Sequence, residues 1–411
     1  MRAMTIVSTQ DPARKYRDVR LDFFRGLGMF IILIAHITNN PWTLYIPARF
    51  GFSDATEMFI FCSGMASAIA FGAVFARAGF FMGLYRVVFR IWEIYWVHIA
   101  TFMLTLAMMF AINRTGLFSR DEVSNLNLVP FLKASGNQVI GLFTLTYVPN
   151  YFDILPMYMV ILALLPVMML LARVNVYIAL TASVLLWLAA TTNNLNLPAE
   201  YWFSNNSTRQ WFFNPFAWQL VFYTGFAFMS GWLPAPPRNR GLAIAAAAVV
   251  LISLPFAWHV TIGQFDFIKV WRTDWRILID KTGFGLLRYV HFLALAYLAW
   301  LVAGTAGENL TRTPFMQGLT WIFSRVGQQS LAVFASSIVL ARVLGAVLNE
   351  LGSGFWASLF VNVLGFFCIY AIAKLVAFSK SEPWKASRGK QNPTVDAQEP
   401  QRISPKFVVV K

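Results

Sequence analysis

The sequence predicts an all-α, polytopic integral membrane protein of about ten transmembrane helices with both termini in the cytoplasm. Three observations carry this expectation. Hydrophobic residues make up 58% of the chain and charged residues 12%, with a mean hydropathy of +0.59. Apolar runs long enough to span a bilayer follow one another so closely that no segment remains to build a soluble core. Basic residues gather beside alternate ends of those runs, as the positive-inside rule requires.

Runs of roughly 17 to 25 residues are read as spans, at about 21–40, 55–76, 86–112, 152–172, 176–193, 211–233, 241–258, 284–304, 330–349 and 354–378. An even number puts both termini on one side. Arg14, Lys15, Arg17 and Arg20 precede the first run, and Lys380, Lys385, Arg388 and Lys390 follow the last. Arg77, Arg173, Arg238, Arg240, Arg312 and Arg325 fall in the connections assigned to the same side, which is therefore the cytoplasm. The opposite connections mix signs, as in Asp266, Lys269, Arg272, Asp274, Arg276, Asp280 and Lys281. Residues 129–147 are too few and too polar to span and read as an interfacial or re-entrant segment. The chain divides into a cytoplasmic N-terminal segment (1–19), a membrane domain (20–378) and a disordered basic tail (379–411).

The excess of 33 Lys and Arg over 18 Asp and Glu is topological, because no basic stretch is interleaved with aromatics on a soluble platform; no nucleic-acid partner is expected. Cys62 and Cys368 both lie inside apolar runs, which supports neither a disulfide framework nor a metal site. The basic N-terminus resembles the start of a signal peptide, but the small-residue cleavage pattern is missing and Arg25 interrupts the apolar run. The segment is expected to stay as a helix.

Ionisable residues inside a membrane span are functional candidates, since each costs at least a few kcal/mol unless it faces a cavity, a partner or the headgroups. The stretch 20–36 carries Arg20, Asp22, Arg25 and His36. His36 follows Arg25 by eleven residues, about 16 Å along a helix, so the two belong to different depths. Alternating span directions bring Glu57, Asp54, Asp153, Asn214, Gln219, Arg288 and His291 to the outer level of His36. Arg20, Asp22, Arg25, Arg86, Arg90, Gln328, Ser330 and Lys374 share the inner level. A cationic inner set and a histidine–carboxylate outer set suit acyl transfer. A histidine with a carboxylate orienting its ring can act as general base for a hydroxyl, and arginines bind phosphates or carboxylates bidentately. His36 and Glu57 are the catalytic candidates; Arg20, Asp22, Arg25, Arg86 and Arg90 are donor-side candidates; Asp153, Asn214, Arg288 and His291 are outer-side candidates. Arg86 and Arg90 share a helix face and suit an anion clamp.

Structural roles compete with these. Arg86 and Arg90 can snorkel to the headgroups, His36 can be an interfacial histidine, and His98 and His259 lack acidic neighbours at helical spacing. Asn214 with Trp218 suits interfacial packing, and Cys62 suits a small core position.

Arg20-Leu-Asp-Phe-Phe-Arg25-Gly26, followed by His36, resembles the opening signature of the integral-membrane acyltransferase family three. Glu57-Met-Phe-Ile-Phe-Cys-Ser-Gly64 and Tyr85-Arg-Val-Val-Phe-Arg-Ile91 resemble its next two motifs. Within that group the chain is most similar to the OpgC branch, through Phe152-Asp-Ile-Leu-Pro-Met-Tyr158, Phe213-Asn-Pro-Phe-Ala-Trp218, Leu287-Arg-Tyr-Val-His291 and Gly327-Gln-Gln-Ser330. The resemblance covers roughly residues 17 to 378. It implies a bacterial inner-membrane acyltransferase with no bound cofactor, using an acyl-CoA, succinyl-CoA foremost, as co-substrate and a periplasmic glucan hydroxyl as acceptor. By the same resemblance His36 is the leading base, Arg25, Arg86 and Arg90 are donor-side groups, and Arg288 and His291 outer-site groups. The chain departs from the broad group at Phe334 and Ala335, where many members carry a histidine. Two alternatives stay open: transfer of acetyl or another acyl group to a different envelope glycan, and a secondary transporter with charges along its path.

Overall fold

The computed structural model describes residues 18–123, 128–192, 195–200 and 208–386. The expected N-terminal segment before Asp18 and the basic tail after Ala386 lie outside the described residues. Among the described residues all regular secondary structure is helical; extended pairing is limited to isolated antiparallel bridges joining Tyr147 to Glu200 and Pro198 to Gln210.

Helix α1 (Val19–His36) begins where Asp18 accepts a hydrogen bond from the Arg20 N–H and ends with an extended residue at Ile37. Two ends of the bundle can be named from it, the Arg25 end and the His36 end. Helix α2 (Ala55–Ser67) starts at the His36 end and continues through a π-helical turn (Ala68–Gly72) into α3 (Ala73–Thr115), whose helix breaks at Gly79. Gly79 has φ +83°, a conformation only glycine adopts without penalty, and the chain reverses there so that Phe75 faces Gly83. The sequence gap of nine residues expected between the second and third spans is thus a turn of one residue.

The stretch expected to be interfacial or re-entrant forms two short helices, α4 (Val129–Lys133) and α5 (Ser135–Phe143). Helix α6 (Ile154–Val174) runs from that end toward the Arg25 end and α7 (Val176–Thr192) returns. Helix α8 (Pro215–Ser230) starts four residues later than the apolar run, because Asn214 caps the Phe216 N–H and Pro215 supplies the first helical position. It is buried on nearly every side from Pro215 to Ala227, which fits a helix that is apolar all round. Helix α9 (Arg240–Ala257) leads to three short helices, α10 (His259–Gln264), α11 (Asp266–Asp274) and α12 (Arg276–Ile279), and α13 (Leu286–Ala303) returns toward the Arg25 end.

Helix α14 (Pro314–Gln328) lies in a stretch that the sequence reading left as a connection without a helix of its own. It crosses α1 at the Arg25 end, where a Cβ on Gly26 would collide with the Phe323 carbonyl oxygen and one on Gly327 with that of Asp22. Small residues permit this backbone approach, a common way for helices to associate in lipid. Helix α15 (Ser330–Leu351) rises beside α1, and α16 (Phe355–Lys380) descends before the short α17 (Pro383–Ala386). Six helices among the described residues are long and apolar enough to cross a membrane, and the chain is an all-helical membrane protein. The first of these, Ala55–Thr115, is divided at Gly79 into two helical arms.

Candidate functional site

The His36 end carries a buried ionic cluster built on the start of α2. Asp54 caps the helix by accepting from the Thr56 N–H at 2.7 Å, and Glu57 Oε2 accepts from the Asp54 N–H at 2.8 Å, a reciprocal capping box. The other oxygen of Glu57 is directed across to α13, where it accepts from Arg288 Nε at 2.8 Å and Nη2 at 2.5 Å. Asp54 Oδ2 accepts from Lys281 Nζ at 2.5 Å and lies 3.5 Å from Arg288 Nη2. Burial raises the pKa of Asp54, but Lys281, Arg288 and the hydrogen bonds from Lys281 and Thr56 together outweigh it and hold this carboxyl below its ordinary value. One turn along α13, His291 Nδ1 accepts from the Ser53 N–H at 3.3 Å and contacts Ser53 Oγ at 2.7 Å. Its proton therefore sits on Nε2, which is buried without a partner.

His36 stands apart from that cluster. Its Nδ1 donates to the Ile32 carbonyl at 2.7 Å, which leaves the lone pair on Nε2. The ring forms part of an open pocket of about 510 Å³ lined by His36, Thr38, Asn39, Thr43, Leu44 and Tyr151 among others. Tyr151 meets the imidazole edge to face at 5.5 Å between centroids. Arg342, deep in α15, donates from Nη2 to the His36 carbonyl at 3.0 Å and from Nη1 to Thr38 Oγ1 at 3.2 Å. A second open pocket, about 530 Å³, is lined by Lys269, Arg272, Arg276, Asp280 and Lys281 and contains no histidine.

At the Arg25 end, Arg25 donates from Nη2 to Ser330 Oγ while its Nε is buried without a partner. Asp22, Cys62, Tyr158 and Arg90 are its ionisable neighbours. Arg20 is held by both oxygens of Asp18, at 3.0 Å from Nε and 2.6 Å from Nη2, and donates to the Gly304 carbonyl at 3.2 Å. It fastens the start of α1 to the end of α13. Asp22 is buried and accepts from Gln328 Nε2 at 3.4 Å.

The expected residues therefore separate into groups. Glu57, Arg288 and His291 come together with Asp54 and Lys281, but the expected His36–Glu57 contact is not formed: Arg288 and the Asp54 N–H take the carboxylate, and the Ile32 carbonyl orients the imidazole. Asn214 spends its side chain on the fold, accepting from Phe216 and donating to the Leu195 carbonyl at 2.7 Å. Asp153 is buried at the start of α6, with Oδ1 unpartnered. Arg86 and Arg90 do not converge: Arg86 is exposed with its guanidinium 5.9 Å from the Phe89 ring centroid, whereas Arg90 pairs with Glu93 at 2.9 Å. Sequence reasoning overlooked Arg342 and Tyr151. The signal for Arg342 was present, since it is an arginine inside the apolar run 330–349.

The family model for OpgC protein matches residues 17–381, nearly the whole chain, so the chain belongs to that family. No curated protein and no solved structure matches it.

Proposed function

We propose that this OpgC-family chain is an inner-membrane O-acyltransferase that moves an acyl group, succinyl foremost, from cytoplasmic acyl-CoA to a hydroxyl of a periplasmic glucan. Family membership supports acyl transfer to glucans. The observation that carries the chemical assignment is the tautomer of His36. With Nδ1 donating to the Ile32 carbonyl, Nε2 is the basic atom of a histidine that borders an open pocket. An acceptor hydroxyl there loses its proton to Nε2 as its oxygen bonds to the thioester carbonyl carbon. The carbon–sulfur bond then breaks, and the proton leaves with the CoA thiol.

In this reading ten passes cross the membrane and the Arg25 end faces the cytoplasm. Cations beside aromatic rings at that end support the orientation: Arg173 over Phe80, Arg238 over Trp300, and Arg325 and Lys374 over Trp321. Arg25, with an unpartnered buried Nε, is the donor-side anion contact, and Arg90 is its neighbour. The distance from Arg25 to His36 along α1 is about 16 Å, within the reach of an extended pantetheine arm, so the acceptor need not cross the membrane.

Mass spectrometry of periplasmic glucans from cells with and without this protein tests the reading. Acyl-bearing glucans that depend on the protein are the expected result; identical glucan profiles would overturn it.

A further inference from the structure

Helices α10, α11 and α12 join the end of α9 to the start of α13 at the His36 end of the bundle. Helix α9 stands at the margin, packed against α13 with two of its 18 residues, Ala246 and Ser253, buried. An apolar helix so little covered by protein is surrounded by lipid. The three short helices therefore lie at the membrane surface beside that margin. Phe265, Phe267, Val270, Trp275 and Ile277 are exposed there, the kind of side chains by which interfacial helices sit among headgroups.

The same helices form the open pocket of about 530 Å³, in which Lys269, Arg272, Arg276 and Lys281 meet Asp280, with Ile262 and Ile279 as apolar walls. Both lysines have acidic partners: Lys269 pairs with Asp266 at 2.8 Å and Lys281 with Asp54 at 2.5 Å. The arginines differ. Arg272 donates to the Phe256 carbonyl in the last turn of α9, and among the described residues neither it nor the exposed Arg276 forms an ion pair with a carboxylate. Asp280 accepts from the Gly283 N–H at 2.5 Å. The pocket therefore has two guanidinium charges to offer an anion.

We infer that this pocket binds the phosphate of an anionic phospholipid from the leaflet on the His36 side. Arginine suits phosphate through paired N–H donors, and basic pockets at the membrane surface take acidic headgroups. A charged soluble glycan would also meet the cations, but it would leave Phe265, Phe267 and Trp275 facing water, whereas acyl chains cover them. Occupancy bears on the rest of the His36 end. Trp271 on α11 lies 4.6 Å from the Phe256 ring and 6.2 Å from Phe52, and Phe52 meets His291 at 6.2 Å between centroids. A lipid in the pocket holds α11 against the residues that lead into α2.

The test titrates purified full-length protein in detergent micelles with phosphatidylglycerol, phosphatidylcholine, soluble glycerol phosphate or dextran sulfate, and reads bound molecules by native mass spectrometry. Wild type is expected to hold phosphatidylglycerol about 10-fold or more tighter than phosphatidylcholine. Arg276→Gln should weaken phosphatidylglycerol by roughly 10- to 100-fold, while Arg120→Gln, an exposed arginine outside the pocket, should leave it unchanged. Equal binding of the two lipids by wild type overturns the inference without any variant, so a poorly folded Arg276→Gln does not protect it. Unchanged preference in a folded Arg276→Gln, or equal weakening by Arg120→Gln, overturns the assignment to this pocket. Glycerol phosphate binding as tightly as the lipid would make the ligand a free phosphate, and dextran sulfate binding that is lost in Arg276→Gln would make it a charged glycan; either result also overturns the lipid reading.

Discussion

Glu57 and Arg288 join α2 to α13 through a buried ion pair, with one carboxylate oxygen accepting from Nε at 2.8 Å and from Nη2 at 2.5 Å. The other oxygen completes the cap of α2 through the Asp54 N–H. Removing one partner of such a pair strands a charge, with losses of roughly 3–5 kcal/mol, while replacing both by apolar side chains is far milder. Glu57→Ala is therefore expected to lower the thermal midpoint of the detergent-purified protein sharply. The double replacement Glu57→Leu with Arg288→Met should recover much of that loss. Equal midpoints for the single and double variants would show that the pair does not tie the helices together.

The crossing of α1 and α14 gives a steric prediction. A methyl group at Gly26 or Gly327 collides with a backbone carbonyl of the other helix, so the helices must separate. Gly26→Ala and Gly327→Ala should each destabilise by about 1–3 kcal/mol or more. Gly318, on the same helix as Gly327, has nothing within 4 Å of the place a methyl group would occupy. It should tolerate alanine or gain up to about 1 kcal/mol from helix propensity. Thermal unfolding of the three variants separates these outcomes.

Asp54 yields a pH prediction. Its carboxyl is held below the ordinary value of 3.8 by Lys281 and Arg288 despite the opposing effect of burial. A depressed acid contributes stability that is present above the unfolded value and lost as pH falls through the folded one. Wild type should thus be more stable than Asp54→Asn at pH 7 and at pH 5, with the difference shrinking only below about pH 4. A difference that vanishes between pH 7 and 5 would contradict the ionic cluster.

Hydropathy made much of this fold legible, since each of the ten apolar runs contains a helix. Helix α14 escaped because it is amphipathic, carries Arg325 and is only 15 residues long; its identity lies in the fit of Gly327 against α1, which no single segment reveals. Depth could be read along each helix, which grouped Glu57, Arg288 and His291 correctly by level. Lateral position could not: the sequence placed His36 and Arg288 at the level of Glu57 and paired Glu57 with His36, whereas packing gives it Arg288. Arg342 was visible as an intramembrane charge but lies at neither end of the motifs that guided the reading.

The unequal surroundings of Arg86 and Arg90 predict unequal phenotypes. Arg90 is an ionisable neighbour of Arg25, while Arg86 is exposed beside Phe89. Lysine cannot reproduce a bidentate guanidinium contact, so Arg90→Lys should raise the acyl-CoA concentration needed for half-maximal transfer. Arg86→Lys should leave it close to wild type. Donor titrations showing equal shifts would mean that the two arginines act together as a clamp.

The central claim is that His36 removes the acceptor proton, and substitution of His36 with periplasmic glucan acylation as readout tests it most directly. In cells that contain His36→Ala at normal membrane abundance, acyl transfer is expected to fall by about 10²- to 10⁴-fold. Acylation close to the wild-type level in that variant would contradict the account.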